Sequence, residues 1–272
     1  MNLLLVEREE LVVDNTVCLR DRRFEHLTRV LNVSVGQRIR AGIVRGPTGV
    51  ATVVDVQSDQ VALLFEASVA VVEPALDLVL ALPRPKALSR MMQAAASFGV
   101  KRIDVINAWR VDASYFASHK VSSAALERDV RLGCEQGVTT YVPDVGVHRY
   151  FTEFVEGVLG PRTEVEPEHL LLIGHPSEPG FTSCGIEKVV APMRTARVTL
   201  VIGPDGGFVE SELRSLTALG GRLVSFGDTV LRSEIALVAG LSQIALLRRL
   251  RTSELGGDSH DFSVADLAGA LG

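Results

Sequence analysis

Two short stretches concentrate residues whose types and spacing suit ligand chemistry. In Leu200-Val201-Ile202-Gly203-Pro204-Asp205-Gly206-Gly207-Phe208 an apolar run enters a loop with three glycines. Glu210 and Glu212 follow, in what would be the first turn of a helix, where the helix dipole favours acids. Glycines in such a loop permit positive φ and let backbone amides approach a ligand closely. The loop would lie at the carboxyl end of a parallel strand, the usual ligand edge of an open α/β sheet. It lacks the Lys-Ser/Thr ending of a phosphate loop, and its glycine spacing is not that of the dinucleotide fingerprint. The second stretch, Phe226-Gly227-Asp228-Thr229-Val230-Leu231-Arg232-Ser233-Glu234-Ile235-Ala236, again reads as strand, loop and helix, with Ser233 a candidate N-cap. Arg232 stands just ahead of that helix, where the dipole disfavours a cation, so a functional demand would account for it. Taken one at a time, the glycine loop also suits a tight strand-to-helix turn, and Arg232 an ordinary surface arginine.

The elements that must position these residues are legible in the hydrophobic pattern. From residue 73 onward strands alternate with helices, which predicts an α/β domain with a parallel sheet. Strands are expected at 76–82, 102–107, 170–173, 198–202 and 222–226, and helices at 87–98, 122–134 and 233–250. Continuous apolar runs at 170–173 and 198–202 fit parallel strands buried on both faces. Gly99 stands where a C-cap glycine belongs. Residues 1–72 are mostly β in character, with strands at 50–56 and 61–65, a turn at 46–49, a short first strand near the start and one helix at 23–31. A small β-barrel is the simplest architecture for that segment. The chain therefore divides into 1–72, 73–250 and a Gly/Ser/Asp-bearing tail at 251–272, with a short helix expected at 263–271.

Composition narrows the class. The 272 residues are 47% hydrophobic, a globular composition with ample core material. No apolar run is long enough to cross a bilayer, and the start reaches acids too early for a secretory signal. Cys18, Cys134 and Cys184 form no CxxC pair, which argues against a zinc site or disulfide framework and for a reduced, cytoplasmic protein. Net charge is -5, but the charge is segregated. Residues 20–45 carry seven arginines (20, 22, 23, 29, 38, 40, 45) against Asp21 and Glu25, residues 46–82 carry no Lys or Arg, and residues 83–110 carry six basic residues against Asp104. Such blocks suit phosphate contacts on an otherwise acidic protein, and they equally suit solvated faces of ordinary elements.

Together the two motif stretches resemble the ribosomal small-subunit methyltransferase E family of the SPOUT superfamily. That family carries a strand, Gly-Pro-Glu-Gly-Gly-Phe, a helix, a strand, then Leu-Arg-x-Glu-Thr-Ala. This chain has Gly-Pro-Asp-Gly-Gly-Phe at 203–208 and Leu-Arg-Ser-Glu-Ile-Ala at 231–236. The likeness runs to about residue 250. His26-Leu27-Thr28-Arg29-Val30-Leu31 and Val35-Gly36-Gln37-Arg38-Ile39-Arg40 look like the family's N-terminal PUA-like barrel. Residues 93–100, Glu135-Gln136 and Val142-Pro143 match its mid-chain landmarks, and Leu172-Ile173-Gly174-His175-Pro176 its first cofactor-binding strand end. The chain departs from the pattern at three places. Ala94 lies where the helix before Gly99 usually has a Lys, Gly137-Val138-Thr139 replaces Ser-Gly-Arg, and Ile235 replaces Thr.

The resemblance implies a PUA-like β-barrel that helps bind RNA, followed by a SPOUT α/β domain with a deep trefoil knot. It implies S-adenosyl-L-methionine as cofactor, held by three loops through Leu172, Ile173, Gly174, Ile202, Gly203, Pro204, Gly206, Gly207, Phe226, Gly227, Val230, Leu231 and Ser233. It implies a homodimer with shared active sites, no metal, and methylation of uridine N3 in 16S ribosomal RNA. Uracil N3 is a poor nucleophile while protonated, so a cation near the ring oxygens is needed. Arg232 is the candidate, with Glu234 orienting beside it. His26 and His175 are read as structural rather than as bases. Arg22, Arg23, Arg29 and Arg84 are the expected RNA contacts. Two other readings stay open: a divergent member acting on another substrate, suggested by Ala94 and Thr139, and a non-catalytic RNA- or cofactor-binding homologue.

Overall fold

The computed structural model describes residues 2–165, 168–190 and 197–254. The helix expected at 263–271 lies outside them. Among the described residues the chain forms two compact units, one of residues 2–73 with 134–142, the other of residues 74–133 and 143–254.

The first unit is a curled five-stranded sheet in the order β1-β3-β4-β5-β2. Its strands are β1 (Leu4–Val6), β2 (Thr16–Leu19), β3 (Arg38–Ile43), β4 (Thr48–Val56) and β5 (Val61–Val69). Alternating residues of β4 and β5 turn Ala51, Val53, Val61, Leu63 and Phe65 into one core. Helix α1 (Arg22–Arg29) adds Leu27 to it. Its N-terminus is capped by Asp21, whose carboxylate accepts the Arg23 N–H at 2.8 Å. The expected turn at 46–49 is tighter than the composition suggests, because β4 already begins at Thr48.

The second unit is built on a seven-stranded sheet in the order β10-β12-β9-β11-β6-β7-β8, with every pairing parallel. Its strands are β6 (Leu76–Ala81), β7 (Arg102–Ile106), β8 (Asp144–His148), β9 (Leu170–Gly174), β10 (Cys184–Gly185), β11 (Val198–Ile202) and β12 (Arg222–Ser225). Strands β6 and β11 are buried throughout; each is apolar but for one residue, Asp77 and Thr199, and the Asp77 carboxylate is paired with Arg197 at 2.9 Å. Helices α2 (Pro85–Ser97) and α8 (Ser233–Glu254) pack on each other, and α8 also packs on β11. Between β8 and β9 the chain forms α4 (Phe151–Phe154), a π-helical turn (Val155–Leu159) and α5 (Gly160–Val165). Phe154, Leu159, Phe208, Leu213 and Leu216 share a core with Val79, Ile173 and Val201 of the sheet. Two shorter helices, α6 (Glu187–Val190) and α7 (Glu210–Ala218), complete the unit with α3 (Ser123–Gly137), whose last turn belongs to the first unit.

Asp104, fully buried on β7, would be untenable alone. Burial works to raise its pKa, but hydrogen bonds from Arg162 (2.7 Å), Arg102 and His148 outweigh it and hold the carboxyl below its ordinary value. One carboxylate thus fastens β7 to β8 and α5.

Helix α3 ends in a Schellman turn, with the Thr139 N–H donating to the Cys134 carbonyl at 3.1 Å. The left-handed residue of that turn is Val138, at φ 56°. This is where the resembling family has glycine, and a β-branched side chain there is strained. Val138→Gly should therefore raise stability by about 1 kcal/mol, the relief of the left-handed penalty less the entropy glycine adds to the unfolded chain. Urea denaturation measures it, and an unchanged or lower midpoint would mean that the valine's packing outweighs the strain.

Candidate active site

Parallel register brings the two motif stretches together. Ile202 of β11 pairs with Gly174 of β9, and Gly174 pairs in turn with Val224 of β12. Three strands therefore end level, and the loops that leave them share one edge. A cavity of about 390 Å³ lies among Gly174, His175, Phe226, Gly227, Val230 and Leu231. An adjoining one of about 160 Å³ is lined by Ile202, Gly203, Pro204, Gly206, Gly207 and Ser233, and shares Gly174, His175, Val230 and Leu231 with the first.

Most of the residues expected to hold a cofactor thus line one continuous site. Leu172 and Ile173 do not: both are fully buried within β9, and Ile173 packs with Val79, Val201 and Phe208. Ser233 departs in another way. It is the first residue of α8 rather than its cap, and the Arg232 carbonyl accepts the first helical N–H bonds from Ile235 and Ala236. The Ser233 hydroxyl instead donates to Asp205 Oδ1 at 2.8 Å, tying the glycine loop to the start of α8.

The glycines have separate reasons. Gly207 sits at φ 74°, a conformation that disfavours any side chain. Gly174 leaves room for the Phe226 ring, which a Cβ would meet at 2.7 Å. Gly206 needs neither: a Cβ there would meet only the flexible side chain of Arg110, at 3.0 Å.

Arg232 is exposed and makes no side-chain hydrogen bond among the described residues. It lies between Leu231 and Ser233, which both line the site. Glu234 is turned to α2, where Arg90 is 3.8 Å away across a largely exposed pair. His175 is buried at the site, and its Nε2 lies 3.2 Å from a Glu178 oxygen, near enough for ionic attraction but off the angle of a hydrogen bond. His26 lies on α1 in the first unit, where burial pushes its pKa down and favours the neutral ring.

The expected RNA-contacting arginines differ in what remains of them. Arg29 and Arg84 are exposed. Arg22 binds both oxygens of buried Glu135, at 2.6 and 3.1 Å, and this pairing raises its pKa. Arg23 is only 12% exposed, holding Glu10, Asp21 and the Leu5 carbonyl. Arg23 is a fastener of the first unit, so reversing its charge would test folding rather than RNA binding.

Sequence reasoning missed the loop at 107–111, which follows β7. Arg110 donates to the Gly206 carbonyl. The buried carboxylate of Glu212 accepts the Trp109 N–H at 2.7 Å and the Val209 N–H at 2.9 Å. Glu212 was legible as a first-turn acid of α7, but its second donor, 103 residues away, was not. Among the described residues no cluster of His, Cys, Asp and Glu could hold a metal ion, no helix could cross a membrane, and no two cysteines form a disulfide.

Residues 72–245 match the model of the RNA methyltransferase domain family. The chain is also 30% identical over 251 residues to ribosomal RNA small subunit methyltransferase E of Treponema pallidum, covering 90% of each. The chain belongs to this RNA methyltransferase family. A family relative from Borreliella burgdorferi is 24% identical and covers 88% of this chain and 95% of its own. The family's enzyme from Neisseria gonorrhoeae, solved bound to S-adenosyl methionine, has the same fold, with a TM-score of 0.72, 21% identity and coverage of 91% and 98%. A probable rRNA methyltransferase from Porphyromonas gingivalis likewise gives 0.72, at 19% identity and coverage of 92% and 100%.

Glu212→Ala should strand the Trp109 and Val209 N–H groups and cost roughly 2 kcal/mol, whereas Glu212→Gln, which keeps one acceptor, should cost less. Urea unfolding of the two variants checks the order, and equal midpoints with the parent chain would show that water replaces the carboxylate without loss.

Proposed function

We infer that this chain transfers the methyl group of S-adenosyl-L-methionine to N3 of a uridine in small-subunit ribosomal RNA. The observation that carries the reading is Arg232: an exposed cation, unpaired among the described residues, between two residues of the three-loop site at the N-terminus of α8. The site suits the cofactor in kind. Its apolar walls at Ile202, Val230, Leu231 and Ala236 suit an adenosine, and its glycine-bearing loops offer main-chain groups for the polar edges. When bound, S-adenosyl-L-methionine supplies a methyl group on a sulfonium, open to in-line attack.

What the chain adds is orientation and charge. Arg232 and the α8 N-terminus converge two positive sources where an N3-deprotonated uracil would place negative charge on its ring oxygens. A cation is poorly suited to gripping a sulfonium, which is itself positive, so Arg232 serves the base rather than the cofactor. Glu234, 3.8 Å from Arg90, is assigned an orienting role in the first turn of α8.

The same reading includes features of the family. The first unit is a PUA-like barrel that helps bind RNA and the second is a SPOUT domain, whose last helix α8 continues past the expected boundary at 250 to Glu254. The order β12-β9-β11, in which β12 passes its predecessor to lie beside β9, fits the threading of a trefoil knot. Along α8, Ile235, Val238, Leu246 and Leu250 stay exposed on one helical face while Leu237, Leu241 and Ile244 are buried. That second apolar stripe suits a homodimer. The enzyme acts in the cytoplasm, where ribosomal RNA is, and uses no metal. Ala94 and Thr139 favour one variation, a divergent member of the family acting on another substrate.

Arg232→Ala should lower the single-turnover rate on small-subunit ribosomal RNA by roughly a hundredfold, the scale of losing one charge-stabilising donor. Cofactor affinity should hold, and raised pH should partly rescue the rate because uridine then loses its proton unaided. Lost cofactor binding with an unchanged rate at saturation would make Arg232 a ligand clamp instead.

A further inference from the structure

The chain's one tryptophan stands 82% exposed on a loop that is otherwise immobilised. Residues 107–111 leave the carboxyl end of β7, on the edge of the sheet that carries the three site loops. Every residue of this loop is held. The Asn107 N–H donates to the His148 carbonyl at 2.9 Å, and Asn107 Nδ2 to the Arg149 carbonyl at 3.1 Å. The Ala108 N–H donates to Asn107 Oδ1 at 3.0 Å. The Trp109 N–H is fixed by Glu212, Arg110 by the Gly206 carbonyl, and the Val111 N–H donates to the Ala108 carbonyl at 2.9 Å. The indole is therefore presented on a rigid base, which lowers the entropy lost when a partner stacks on it.

A cavity of about 380 Å³ opens at the foot of the indole. Thr152 and Ser211 offer it hydroxyls, and Phe151 an apolar wall, while Asn107 and the Ser215 hydroxyl are already bonded within the protein. No Lys or Arg lines it, and Glu212 does. That set repels phosphate and suits an uncharged, planar, polar-edged ring. The loop is also tied directly to the methyl-transfer site, since Arg110 and Glu212 grip the glycine loop and the residue that follows it.

We propose that Trp109 and the cavity beneath it form a subsite for an unpaired RNA base flanking the methylated one. The base stacks on the indole while the Thr152 and Ser211 hydroxyls meet its edge, as single-stranded RNA is commonly read. The subsite deepens the RNA methyltransferase reading and rests on it. Trp109 is then a positioning residue: it holds the substrate strand and takes no part in the transfer.

The single tryptophan makes the test direct. Fluorescence of the full-length protein is titrated with single-stranded oligouridylate and oligoadenylate, and with an RNA duplex of equal length at the same salt. The single strands should quench the indole and the duplex should not. In methylation assays on small-subunit ribosomal RNA, Trp109→Ala should raise KM about tenfold at unchanged kcat, toward the lower end of the cost of one lost base–aromatic stack. Trp109→Phe should restore most of it, and S-adenosyl-L-methionine affinity should be equal in all three proteins. No quenching together with an unaltered KM overturns the subsite. Emission that follows protein concentration rather than RNA also overturns it, because a second copy of the chain then covers Trp109. If single strands quench the indole but the parent enzyme methylates no RNA, the subsite stands and the functional reading fails.

Discussion

The site depends on one alignment, the register in which Ile202, Gly174 and Val224 lie side by side across β11, β9 and β12. Because these strands are parallel, their carboxyl ends face the same way. Because they are in step, their loops leave at one level. Slipping β9 by one residue would turn Ile173 out of its core and carry Gly174 away from the Phe226 ring. The apolar packing of buried strands thus does geometric work for residues that are not apolar at all.

Single polar contacts then lock loops that register alone would leave loose. Ser233 holds Asp205, joining the glycine loop to α8, and Glu212 holds Trp109 and Val209, joining the β7 loop to α7. Each uses a buried or nearly buried group, where a satisfied hydrogen bond is worth keeping and an unsatisfied one costs more than the bond gained. Arg232 stands in contrast, since nothing among the described residues occupies it. An unpaired arginine beside a helix N-terminus is tolerable at the surface and useful only if something anionic arrives.

How much of this was legible in the sequence depended on how each signal is written. Strands β6, β9 and β11 could be placed because burial on both faces leaves predominantly apolar runs, broken only by Asp77 and Thr199, and α8 because its pattern is long. Strand β8 was invisible: Asp144-Val145-Gly146-Val147-His148 is a partly exposed edge with no apolar run. The segment Phe151–Val165 hid its helical period behind a π-helical turn and Gly160-Pro161. The motif stretches marked loops that line the site, yet Leu172 and Ile173, adjacent to Gly174 in sequence, belong to the core because β9 is buried on both faces. Trp109 and Arg110 could not be found at all, since their importance comes from Glu212 and Gly206, about a hundred residues further on. Arg22 and Arg23 read as one basic cluster on paper, but Arg23 is bound by Glu10 and Asp21 and nearly buried, while Arg22, bound to Glu135, stays half exposed.

The central claim, that this chain modifies a uridine of small-subunit ribosomal RNA at N3, is tested most directly by nucleoside mass spectrometry. Small-subunit RNA from a strain lacking the gene is compared with RNA from the parent strain and from the same deletion strain carrying the gene in trans. Loss of an N3-methyluridine in the deletion strain, and its return with the gene, is the expected result. An unchanged N3-methyluridine content, or loss of a different methylated nucleoside, would contradict the account.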